Sequence, residues 1–114
     1  MFKIGQTDRF TYPVNVEIVG DGGKRQNFGF DATFKRLSRD EFQAMMKAAQ
    51  DGSLDDMQVA GDVLLGWRGV QDEHGNDLPF SEDARAALLN TWPVLPAIMS
   101  AFLEAHTPKG KAKN

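Results

Sequence analysis

The stretch Phe10-Thr-Tyr-Pro-Val-Asn-Val-Glu-Ile-Val19, answered after Asp21-Gly-Gly23 by Phe28-Gly-Phe-Asp-Ala-Thr-Phe-Lys35, decides the fold. Phe10, Tyr12, Val14, Val16 and Ile18 alternate with Thr11, Pro13, Asn15 and Glu17, and only Val19 breaks the polar series. Phe28, Phe30, Ala32 and Phe34 alternate in the same way with Gly29, Asp31, Thr33 and Lys35. Period two marks half-buried strands, and the glycine turn joins them into an antiparallel hairpin. Both apolar sets carry even numbers, so directly opposed residues must have an even sum to share a face. A two-residue turn gives an odd sum. The three-residue loop Asp21-Gly22-Gly23 gives an even one, with Gly23 at positive φ, Gly20 opposite Lys24 and Phe28 facing Val16. Alternation then makes Pro13 and Asp31 a non-hydrogen-bonded pair. The side of Pro13 that lacks an N–H faces away from its partner, which marks the first strand as a sheet edge.

Downstream the period becomes helical. Ser38 and Glu41 form a capping box, Leu37 is placed to staple onto Phe42, and Phe42, Met45, Met46 and Ala49 make a stripe that ends at Asp51-Gly52. Ser53 is expected to cap a second helix, with Asp55 and Asp56 in its first turn and Met57, Ala60, Val63, Leu64 and Trp67 turned inward. Ser81, Glu82 and Asp83 open a third helix carrying Ala84, Leu88, Leu89 and Trp92. Pro93 and Pro96 suit the first turn of a fourth, Leu95 to Ala105, with Ile98, Met99 and Phe102 buried. A lone hairpin is marginal, so the helices must cover its Phe/Val face. The expected fold is α+β: an N-terminal antiparallel β-hairpin packed on a small layer of three to four C-terminal α-helices. Residues 1–106 form a single domain, and 107–114 a disordered basic tail.

Between the second and third helical patterns lies a connector, residues 63–81, with the apolar pins Trp67, Val70, Leu78 and Phe80. Long connections in compact domains are usually functional or held by their own side chains. Gly66-Trp67-x-Gly69-Val70, an acidic turn with Asp72 and Gly75, then Leu78-Pro79-Phe80-Ser81 before an Ala/Leu-rich helix, resembles the tail assembly chaperones of long-tailed bacteriophages. The resemblance covers roughly residues 10–104. It implies a noncatalytic assembly factor in the cytoplasm of the infected host, which binds the tape measure protein and tail tube protein and holds them soluble until the tube polymerises. Trp67, Gly69, Val70, Leu78, Pro79 and Phe80 are its motif residues. It also implies a longer product made by a −1 frameshift, and Ala112-Lys113-Asn114 permits the slippery codons GCA-AAA-AAC. A structural tail completion or connector protein, or another small interaction domain, is the alternative.

Composition sets limits on chemistry. There are no cysteines, hence no disulfide framework or thiolate metal site. No apolar run approaches the length of a membrane span, so no membrane partner is expected. The formal net charge is −3, and Lys109, Lys111 and Lys113 all lie in the last eight residues, so residues 1–106 carry −6. An acidic body argues against nucleic acid as a partner, since phosphate binding needs clustered Lys and Arg. Asp72-Glu73-His74-Gly75-Asn76-Asp77 could hold a cation, but the twelfth position from Asp72 is Asp83 in the next helix, which does not fit a calcium loop. It reads as a solvated turn, and His106 as a structural residue at a helix end. No nucleophile motif or phosphate loop is present, so neither catalytic residues nor a cofactor are expected. Met45 and Met46 are adjacent and cannot both face the centre of one stripe, which leaves Met46 a candidate for an exposed patch. Trp92 closes the buried face of the third helix or, in the alternative, anchors an interface.

Overall fold

A computed structural model describes residues 1–5 and 7–107. β1 (Arg9–Val19) and β2 (Arg25–Lys35) form the expected hairpin, and a third strand, β3 (Leu64–Arg68), extends the sheet in the order β1-β2-β3. Four helices follow or interleave: α1 (Arg39–Gln50), α2 (Asp56–Val63), α3 (Glu82–Leu89) and α4 (Val94–Ala105). The architecture is α+β. The basic segment expected to be disordered lies, from Pro108 onward, outside the described residues.

The hairpin register follows the parity argument. Val16 opposes Phe28 and Pro13 opposes Asp31. The Gly20 N–H donates to the Lys24 carbonyl at 2.7 Å, and Asp21–Gly23 turns with Gly22 and Gly23 both at positive φ. β1 is a sheet edge. Its even-numbered side chains face the helices, where Val14, Val16, Ala32 and Phe34 join Val63, Leu64, Leu89, Val94, Ile98 and Phe102 in one buried core.

The second helix departs from expectation at both ends. Its cap is Asp55, whose carboxylate accepts the Gln58 N–H at 2.9 Å while the Gln58 side chain accepts the Asp55 N–H. Ser53 instead donates both its N–H and its hydroxyl to Asp51. The helix stops at Val63, and Leu64–Arg68 pairs with β2. Phe34 opposes Leu64 and Thr33 opposes Gly66, so the register shifts by a residue and Leu65 is the extra one. This bulge lets Leu64 and Trp67, three apart, lie on the same sheet face, the spacing that in sequence reads as a helical stripe. Pairing also occupies the backbone groups on the outer side of β2, which a continued helix would leave unmet. Met57, expected inward, is exposed.

In α1 the capping box is formed as expected, but the inward stripe is Phe42, Met45 and Ala48; Met46 and Ala49 face solvent. In α4, Ile98, Met99 and Phe102 are buried as expected. His106 locks the two helices together. Its ring stacks on Phe42 at 5.3 Å and packs against Phe102 and Phe10. The Leu37 N–H donates to Nε2 at 3.5 Å, so Nδ1 carries the proton and donates to the Phe102 carbonyl at 2.9 Å. Among the described residues no single helix is long and apolar enough to cross a membrane; α3 and α4 would pass only as a pair, bent by 101°.

Candidate functional site

The connector motif folds into a knot built from its own residues. After β3, Gly69 at φ +90° turns the chain, and Val70 becomes buried. The Leu78 N–H donates to the Val70 carbonyl at 2.9 Å, and Gln71 bridges Asp77. The Trp67 indole donates to the Leu78 carbonyl at 2.7 Å and meets the Phe80 ring edge-on at 4.8 Å. Arg85 of α3 stands over Phe80 and reaches the Leu64 carbonyl. Trp67, Gly69, Val70, Leu78 and Phe80 are thus brought together, with Pro79 exposed beside them. The Asp72 Oδ1 accepts the N–H groups of both His74 and Asn76, which shapes the turn.

An apolar surface opens beside this knot. β1 and β2 are eleven residues each, about 36 Å long, whereas α3, at eight residues, spans about 12 Å and α4, at twelve, about 18 Å. The helices leave the turn end of the hairpin uncovered. Near the open end Phe34 is fully buried, but on the same face Ile18 is 37% and Phe28 51% exposed near the turn. A groove of about 580 Å³ lies there, floored by Val16, Ile18, Phe28, Phe30, Val70 and Leu88. Trp92 stands at the corner between α3 and α4. It is 80% exposed rather than part of the core, and its peptide bond to Pro93 is cis.

The motif residues Gly69 and Val70 therefore line the groove, while Trp67, Leu78 and Phe80 support it from behind. Met46 lies on α1 and lines neither. Ile18, Phe28, Phe30 and Leu88 were not singled out by sequence. Strand alternation gives the first three a buried face and helical spacing gives Leu88 one, and only the packed structure shows that part of that surface stays bare.

A family model described as YdaY prophage protein matches residues 26–107. The chain belongs to the YdaY prophage protein family. It is therefore phage-derived, and the match runs from the second residue of β2 through the end of α4, including the whole knot and most of the groove. No curated protein and no solved structure matches it.

Proposed function

We propose that this YdaY-family protein is a noncatalytic tail assembly chaperone, acting in the host cytoplasm to hold segments of the tape measure protein and of tail tube subunits soluble before they polymerise. The observation that supports this reading is the groove at the hairpin turn. Ile18, Phe28 and Trp92 are large apolar side chains left in water on one side of the molecule, a pattern that in soluble proteins marks contact with a partner. An amphipathic helix laid across Val16, Phe28, Phe30, Val70 and Leu88 would bury its own apolar stripe and theirs. The polar residues that line the groove serve local structure: Asp72 holds the connector turn, Gln71 bridges Asp77, and the Thr91 hydroxyl donates to the Ala87 carbonyl at 2.9 Å.

The test is co-expression with a tape measure protein from a long-tailed phage. The expected result is that the tape measure protein becomes soluble and co-purifies, that Phe28→Ser with Ile18→Ser abolishes this, and that mass spectrometry finds no copy of the chain in finished virions. A stoichiometric copy in purified particles would instead establish a structural tail component.

A further inference from the structure

We propose that the edge of β1 beyond Pro13 is a strand-addition site, and that its occupant is the N-terminal segment of a second copy of this chain. The Gly20 to Lys24 hydrogen bond fixes which residues of β1 bond to β2: the even ones. The N–H and C=O groups of Asn15, Glu17 and Val19 therefore point outward, and among the described residues no backbone group meets them. Pro13 offers no outward donor, so a ladder along this edge is broken there, and 15–19 is the uninterrupted run beyond it. A cavity of about 420 Å³ adjoins this stretch, lined by Glu17, Ile18, Val19, Arg25, Trp92 and Pro93.

The chain carries a segment of matching pattern. Phe2 and Ile4 alternate with Lys3 and Gly5, so an extended backbone sets both apolar side chains on one face. They are 83% and 90% exposed in the isolated chain. They cannot reach the site on their own molecule. The carbonyls of Thr7 and Asp8 are held by Arg36 at the open end of the hairpin, at 2.8 Å each. From there Phe2 can extend at most about 17 Å, while Ile18 lies about 33 Å along β1. A second copy has no such limit.

Register follows from the same parity that governs the hairpin. An antiparallel pairing that keeps apolar residues on the helix side sets Phe2 opposite Ile18 and Ile4 opposite Val16. Glu17 and Asn15 then supply the outward hydrogen-bonding pairs. Continued along both chains, this register sets Phe10 opposite Phe10, so the exchange is reciprocal about a two-fold axis and closes as a dimer. Trp92 would cover the inserted Phe2. The inference stands apart from the assembly role, because it is read with no tail protein present.

The experiment is sedimentation velocity of the full chain from micromolar to millimolar concentration, together with a crosslink. Dimerisation is expected, and the Phe2→Ser, Ile4→Ser double variant and Trp92→Ala should sediment as monomers, with the melt of the native chain at the dilution where that too is monomeric, since these side chains are exposed in the single chain. The chain has no cysteine among the described residues or elsewhere in the sequence, so Phe2→Cys with Ile18→Cys should give an interchain disulfide on mild oxidation, as a non-hydrogen-bonded cross-strand pair allows. A native chain that stays monomeric throughout, or a double serine variant that dimerises as strongly as the native chain, would overturn the proposal.

Discussion

The indole N–H of Trp67 reaches across the connector to the main-chain carbonyl of Leu78 at 2.7 Å, tying the end of the sheet to the entry of α3. Replacing Trp67 by Phe keeps an aromatic ring against Phe80 but leaves that half-buried carbonyl without its donor. A loss of about 1–3 kcal/mol is expected, read as a lower urea midpoint at unchanged slope.

Gly69 and Gly61 should respond to alanine with opposite signs. A Cβ on Gly69 would meet Phe30 only at 3.7 Å, an ordinary contact, so its constraint is the positive φ, and Gly69→Ala should cost roughly 1–2 kcal/mol. Gly61 lies inside α2 with open space around it, and Gly61→Ala should stabilise by roughly 0.5–1 kcal/mol. Denaturant titration of both variants distinguishes conformational strain from packing.

The α1 capping box should make stability fall in acid. Its Glu41 carboxylate accepts the Ser38 N–H at 2.9 Å, and that backbone hydrogen bond holds the carboxyl below the ordinary glutamate range. A depressed carboxyl contributes stability above its unfolded titration range, which is lost as pH falls through the folded one. Asp51, held down by the Ser53 hydroxyl and N–H, adds to the same slope. Glu41→Gln keeps an acceptor in the box without the titration and should flatten this arm of a urea-midpoint profile. The alkaline arm has the opposite sign. The Tyr12 phenol, raised by its hydrogen bond to Glu104, contributes stability at lower pH that is lost as pH rises through its folded range, and Tyr12→Phe should remove that slope.

Two phenylalanines of β2 on one sheet face should separate folding from binding. Phe34→Ala removes a fully buried ring and should cost about 3–5 kcal/mol. Phe28→Ser, at the bare end of that face, should change stability by no more than about 0.5 kcal/mol while reducing capture of the tape measure protein. Thermal melts and pull-downs on the same preparations compare the two.

Much of the fold was legible because local rules and tertiary packing agree. Alternation at Phe10–Ile18 and Phe28–Phe34 gave the strands, parity gave the register of Val16 on Phe28, and Ser38-x-x-Glu41 gave the start of α1. β3 was not legible. Leu64 and Trp67 are spaced like a helical face, and only the bulge opposite Thr33 and Phe34 reconciles that spacing with a strand. The same ambiguity hid the start of α2, where Ser53 and Asp55 are both good caps and the choice between them rests on Asp51 engaging Ser53.

By itself, then, the sequence determined the fold class, the hairpin, its edge strand and the turn chemistry of the connector, because each depends on residues close along the chain or on a period. Tertiary structure alone decided which apolar residues stay in water. Ile18 and Phe28 have the same character as Phe34 and Phe102; what separates them is where the helices lie on the sheet, covering its open end and leaving the turn bare, while Trp92 falls in the corner between α3 and α4, and no local pattern contains either placement.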